Sequence, residues 1–372
     1  MRPKRPARRP RPRVIGLWGT GLLVLAVVAA WHPAPAAWIE RAFASRWYPT
    51  AQPLISGVSG LLPFALLDAL IVLALAAMVW RLVRAVREPR GWRRWLRLGA
   101  GITVALAGVY LTFLLLWGLH YQRPPLEGRL DHDRSRVTPE TVQAAARHAV
   151  DALNRLAPEA EALRAASAQS LRVSLATGFA DAQRSLGATR PARPARAKTS
   201  MLSFFFRWAG VDGMINPFGL EVLVNPDVLP VELPFVLAHE WGHLAGWARE
   251  HEASYVAWLT CQRGDAPARY SAWLSLYLHL RRELPAAERR TLDRRLGDGP
   301  REDMAAIAAR LERSRPRIRS ASWIAYDRYL KANRAAEGVR SYDAIVSLVV
   351  GTVTDADGRP RLRPVPAGAP SS

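Results

Sequence analysis

Residues 233–248 read LPFVLAHEWGHLAGWA, and within them His239-Glu240-Trp241-Gly242-His243 has the form HExxH. The run around the motif is apolar enough to be a buried helix. Residues four apart share a helix face, so the imidazoles of His239 and His243 can reach one metal ion. Glu240 follows the first histidine and can touch a water at that metal. Two histidine ligands with an adjacent glutamate as general base is the arrangement of zinc peptidases. The bland alternative is a buried helix carrying two satisfied histidines. With 8 histidines in 372 residues, chance seldom yields the pattern.

A zinc site needs a third protein ligand. The following residues, GWAREHEASY (246–255), offer Glu250 and Glu252. On an unbroken helix Glu250 would share the face of His243 but sit about 10.5 Å further along the axis, and Glu252 would face the other way. Either glutamate therefore ligates only if the helix breaks. Gly246 is where a break is cheapest, because glycine accepts the left-handed conformation that ends helices. The chain then folds back and a second helix starts near Glu250. This geometry leaves both glutamates open. Trp241 and Trp247 read as core or wall residues, and His251 as exposed.

The residues before the motif, MLSFFFRWAGVDGMINPFGLEVLVNPD (201–227), are rich in aromatic and β-branched types and broken by glycine, proline and asparagine. Short strands are expected, one around Glu221–Val224, with Asn216 and Asn225 in turns. A strand ahead of an HExxH helix is meaningful, because an extended peptide can add to a sheet edge. Residues 188–197 (ATRPARPARA) form a linker or loop. Thr138-Pro139-Glu140 starts a helix, with a capping threonine and proline in the first turn. Beyond residue 250 the chain is mostly helical, and 364–372 is a loose tail. Cys261, the sole cysteine, excludes an intrachain disulfide and reads as a small buried apolar residue.

Three uncharged or nearly uncharged stretches approach the roughly 20 apolar residues that cross a bilayer: 14–31, 61–80 (one acid, Asp68) and 98–119. The first is longer than a signal-peptide core and is read as a retained helix. Residues 1–13 hold seven basic residues and no acid, and 81–97 hold seven arginines against Glu88, so these stretches carry 13 of the net +21. Both flank apolar runs, where basic residues mark the cytoplasmic side. They agree on an N-terminus in the cytoplasm and on everything past about residue 120 outside it. The remaining arginines form no aromatic-interleaved stripe, so nucleic acid is excluded as a partner. Asp68 reads as an interfacial or helix-packing carboxylate.

The motif with Glu250-His251-Glu252-Ala253-Ser254 resembles the glutamate-zincin pattern, in which an ExxA(D/N) motif supplies the third ligand. More closely, the chain resembles an uncharacterised bacterial membrane family, domain of unknown function thirty-eight ten. The matching stretches are HYQRPPL (120–126), NPFGLEVLVNP (216–226), PFVLAHEWGHLAGWAREHEASY (234–255) and YDRYLKANRAAEGVRSYDAIVSL (326–348). The zincin resemblance implies Glu250 as third ligand. It also expects an acid or amide at position 254 to orient a ligand histidine. Serine stands there, shorter and uncharged. For the donor to the developing oxyanion, Tyr342, Tyr326, Tyr329 and His279 are candidates, with Tyr342 favoured because it lies in a family-like stretch.

The expected fold is α+β, with three N-terminal transmembrane helices before a mostly helical zincin-like domain with a small β-sheet. A basic tail (1–13), a membrane region (14–119), an extracytoplasmic domain (120–363) and a flexible tail (364–372) follow in order. The expected function is that of a zinc metallopeptidase of the bacterial cytoplasmic membrane, hydrolysing a peptide or protein substrate. His239, His243 and Glu250 are its metal ligands, and Glu240 and Tyr342 its catalytic residues. The alternative is a non-catalytic scaffold or sensor that keeps the same fold.

Overall fold

The computed structural model describes residues 15–87, 91–161, 168–333 and 344–363. The expected tails and Tyr342 lie outside the described residues. The first helix, α1 (Ile15–Trp31), is followed after Pro33 and Pro35 by α2 (Ala36–Leu61), bent away from it by 106° and π-wound over Ile39–Trp47. The sequence reading passed over α2 because Glu40, Arg41, Arg46 and two prolines interrupt its pattern. One face of α2 buries Ile39, Phe43, Tyr48, Gln52 and Ser59, and the other exposes Trp38, Leu54, Val58 and Leu61. Next come α3 (Leu66–Arg87) and α4 (Trp92–Leu116). These two are long and apolar enough to cross a membrane, and a third span exists if α1 with α2 counts as one.

The boundaries differ from the apolar runs for local reasons. Pro63 disfavours a helical residue before it, and Leu62 is extended (ψ 135°), so α3 begins at Leu66 rather than 61. At the other end arginine is a good helix former, so α3 runs on through Arg87 and α4 already begins at Trp92. α1 packs along α4, with Gly19 close to Val104.

The remaining chain is mostly helical around a small sheet. Thr138 caps α5 (Pro139–Ala160), exchanging hydrogen bonds with Thr141. α6 (Ala168–Ser185) is followed by β1 (Ala197–Lys198), α7 (Ser203–Ala209), β2 (Gly213–Asn216) and β3 (Glu221–Val224). The motif helix α8 (Leu233–Leu244) comes next, then α9 (Glu250–Gln262), α10 (Ala266–Glu283), α11 (Ala286–Arg295), α12 (Asp298–Glu312), α13 (Pro316–Ala332) and α14 (Ile345–Gly351). The strand order is β1-β3-β2, with β1 parallel and β2 antiparallel to β3, and Gly213 opposite Val224. All four residues of β3 are buried, as a central strand requires. α8 packs behind β2 and β3 on one side and against α9 on the other. Trp241, Cys261, Tyr270 and Tyr277 lie in the surrounding core.

The sheet is bolted to the membrane region. The Glu221 carboxylate accepts Leu66 N–H at 2.9 Å and Leu67 N–H at 3.3 Å, the first free donors of α3. Lys198 Nζ (2.6 Å) and Asn216 Nδ2 (2.9 Å) complete its shell. Ser56 and Ser59 donate to the Leu220 and Gly219 carbonyls. Asp68 accepts from Ser200 Oγ and Met201 N–H, a helix-packing role. The 188–197 segment is an ordered strap: Gln52 bonds both the N–H and the C=O of Arg193, and Trp241 Nε1 donates to Ala195 O.

Candidate metal centre

The end of α8 builds the site. Gly246 has φ +84°, its N–H donates to His243 O, and Trp247 N–H reaches back to Gly242 O. This paired closure is the Schellman motif. Side chains from the N-terminal segments donate to the carbonyls at this helix end as well. Trp117 Nε1 donates to His243 O (2.9 Å), Tyr48 Oη to Leu244 O (2.8 Å) and Arg123 Nη1 to Gly246 O (2.8 Å). After the turn, α9 crosses α8 where a Cβ on Gly242 would stand 2.8 Å from Ala253 O. Only glycine lets the two helices approach this closely.

That crossing brings Glu250 and Ser254 to the two histidines. Glu250 Oε2 lies 3.1 Å from His239 Nε2 and 3.4 Å from His243 Nε2. The two rings stand perpendicular with centroids 4.7 Å apart. The opposite nitrogens are held in turn, His239 Nδ1 by Ser254 Oγ (3.1 Å) and His243 Nδ1 by Trp247 O (2.8 Å). One ligand atom from each of His239, His243 and Glu250 falls within 4.8 Å of the others. Ligand atoms of a tetrahedral zinc stand about 3.3 Å apart, so this donor set fits such an ion.

Electrostatics point the same way. Burial alone would pull the His243 ring down, but the Glu250 carboxylate outweighs it and pushes the ring up to about 9. Burial likewise opposes ionisation of Glu250, and the charge of His243 overcomes it, leaving this carboxyl well below its ordinary range. His239 is lowered by burial. The His243 ring and the Glu250 carboxylate thus favour each other's charged forms. Glu240 is buried, and burial pushes its carboxyl up to about 8. Its Oε2 has no hydrogen-bond partner among the described residues. β2 explains why Glu240 fits there at all: a Cβ on Gly213 would stand 2.7 Å from Glu240 Oε1.

Other expected residues fall elsewhere. Glu252, open as a ligand from helix geometry, accepts Leu126 N–H (2.9 Å) and Arg249 Nη1 (3.1 Å), turned away from His239 and His243. His251 is buried rather than exposed and bonds Glu127 Oε1 at 2.9 Å. Glu127, His251 and Glu252 form a second group of potential ligand atoms. The hydrogen bonds and the Arg249 charge account for that group, which ties the turn after α4 to the start of α9. Trp241 and Trp247 are core residues, and Arg123 stacks on Trp247. Asn216 and Asn225 each accept the N–H two residues on, closing turns. Among the described oxyanion-donor candidates, Tyr326 on α13 reaches the site, where its hydroxyl donates to Glu250 Oε1. Tyr329 lies beside it, stacked on Tyr326, and His279 is on α10. Sequence reasoning missed Trp117, Tyr48 and Gly213, which are far from the motif in the chain and carry no local signal.

Fold and site together define a class: a mostly helical protein, with two or three helices apolar enough to cross a membrane, in which a motif helix and a back-folded helix bring a His-His-Glu donor set together beside a small sheet. The chain belongs to the family described as protein of unknown function (DUF3810), whose model matches residues 43–350. No curated protein and no solved structure matches it.

Proposed function

We propose that this chain is a membrane-anchored zinc metallopeptidase with a zincin-like catalytic domain. The observation that carries the reading is the convergence of His239, His243 and Glu250 beside a buried Glu240 carboxyl with an oxygen left unbonded. His239 Nε2, His243 Nε2 and Glu250 Oε2 hold the ion. Zinc, when bound, supplies Lewis acidity to water and to the scissile carbonyl. Glu240 takes the proton of the attacking water and returns it to the leaving amine. The environment that raises the Glu240 carboxyl suits a group that both accepts and donates near neutral pH. Tyr326, beside Glu250, takes the oxyanion-donor role.

The substrate peptide lies along β2. This strand pairs with β3 on one side, and its start touches Glu240, so an added strand would pass over the cluster. The arginine-rich ends of α3 and α4 lie on the cytoplasmic side of a bacterial membrane, with the metal centre outside. A serine at 254 in place of the acid or amide of the zincin pattern would favour the scaffold alternative, but its hydroxyl lies within hydrogen-bond distance of His239 and supports the metal centre instead.

The test is purified full-length protein carrying Glu240→Gln or His239→Ala, assayed for bound zinc and for cleavage of unfolded protein substrates. Glu240→Gln should keep zinc and lose hydrolysis, and His239→Ala should lose both. Cleavage that persists in Glu240→Gln refutes the mechanism, and wild type without stoichiometric zinc refutes the metal centre.

A further inference from the structure

Two helices packed on one another, one of which reaches the metal centre, keep large apolar side chains in the open. α7 and the residue pair leading into it expose Met201 (50%), Phe204 (49%) and Phe205 (37%), and α13 exposes Trp323 (40%) and Ile324 (55%). α7 and α13 pack on each other. A water-soluble surface seldom gathers such residues without a partner.

Their attachments say what the partner is. α7 sits on the head of α3: Met201 N–H donates to Asp68 Oδ2 at 2.9 Å, and Phe206 is buried in one small core with Ala65. α13 reaches the end of α4, where the Tyr329 ring is 6.4 Å from that of Phe113. The exposed apolar residues of α7 and α13 therefore begin at the level where both membrane-crossing helices end. The outer face of α2 adds Leu54 and Val58 at the same junction, since Ser56 and Ser59 bond the sheet beside the start of α3. α13 also carries Arg317, Arg319, Arg328 and Lys331 with its tryptophan, against one acid, Asp327. An apolar stripe with aromatic and basic residues is the make-up of a helix lying in the headgroup region.

We propose that the α7–α13 face rests in the lipid headgroup layer and seats the His239–His243–Glu250 cluster at the bilayer surface. The link to the cluster is direct, because Tyr326 on α13 donates to Glu250. Resting on the peptidase reading, this assigns a substrate class: polypeptide segments that emerge directly from the lipid, within a few residues of a membrane anchor.

The experiment uses the full chain with Cys261→Ala, reconstituted into phosphatidylethanolamine–phosphatidylglycerol vesicles. A nitroxide label is placed on Phe205→Cys, Ile324→Cys, Leu75→Cys in the middle of α3, or Arg290→Cys on exposed α11. Collision with oxygen, which partitions into lipid, is compared with collision with a water-soluble chromium chelate. The labels at 205 and 324 should show an oxygen preference several-fold above the label at 290 and approaching that at 75. Labels at 205 and 324 that match the one at 290 overturn the proposal. Phe204→Cys and Trp323→Cys replace either site if a variant fails to reconstitute, and a lipid-like signal at 75 verifies insertion. The readout needs neither metal nor hydrolysis, so it fails or succeeds independently of the peptidase reading.

Discussion

Ser254 Oγ lies 3.1 Å from His239 Nδ1, so a serine does the orienting that the glutamate-zincin pattern gives to an acid or amide. The close α8–α9 crossing at Gly242 and Ala253 makes this reach possible for a short side chain. Ser254→Ala should therefore weaken zinc binding by about tenfold, the low end for losing a partner behind a ligand. Competition with a chelator measures this, and unchanged affinity would show that the hydroxyl is idle.

Gly213 faces Glu240 with no room for a methyl group, its Cβ falling 2.7 Å from Oε1 and 3.0 Å from Cδ. Gly213→Ala should displace the Glu240 side chain, cost about 1–3 kcal/mol of stability as an overpacked site, and cut hydrolysis while zinc remains bound. Denaturant unfolding and metal analysis on the same sample check both halves.

Gly246 combines a left-handed backbone with contact to His120, whose Cε1 would be 2.4 Å from an added Cβ. Gly246→Ala meets conformational strain of about 1–3 kcal/mol in addition to the clash. Stability should fall by more than for Gly213→Ala. Bound zinc should fall too, because Glu250 depends on this turn to reach the histidines.

Tyr48 ties α2 to the motif helix through the Leu244 carbonyl, and both residues are buried. Tyr48→Phe keeps the ring and strands that carbonyl, a loss of about 1–3 kcal/mol. Thermal unfolding of the detergent-solubilised protein should register it.

Glu221 joins the sheet to the first turn of α3. Burial raises its carboxyl, but hydrogen bonds from Leu66 N–H, Lys198 and Asn216 outweigh this and hold it below the 4.5 of a free glutamate. A depressed folded value means that its stabilisation is complete above the unfolded value and is lost as the pH falls through the folded one. Acidification below 4.5 should therefore loosen the sheet from α3. Glu221→Gln should remove this pH dependence and, by leaving buried Lys198 without its counter-charge, destabilise at neutral pH by about 3–5 kcal/mol. Hydrogen exchange at Leu66 and Leu67, compared at pH 7 and pH 4, reads the clamp directly.

Much of the site was legible in the chain because it is local. The four-residue spacing puts His239 and His243 on one face of α8, and a left-handed glycine at 246 sends the chain back toward them, so a folded-back glutamate followed from helix geometry. The β3 strand was likewise written in β-branched residues bounded by turn formers, and the Thr138 cap in its own side chain. The apolar runs located the long apolar helices but not their ends, because arginine extends a helix past its hydrophobic stretch and proline shortens one. Helix geometry left Glu250 and Glu252 open and only the zincin resemblance favoured Glu250; tertiary structure sets the two apart in space. The two are nearly equivalent in sequence, and the choice lies in a crossing set by Gly242 against Ala253, with Arg249 and Leu126 claiming the loser. It also placed Tyr326, one of four candidates in the sequence, against Glu250, and it brought in Trp117, Tyr48 and Gly213, because contacts between elements are fixed by how their buried faces pack and leave no mark in the spacing of the residues that make them.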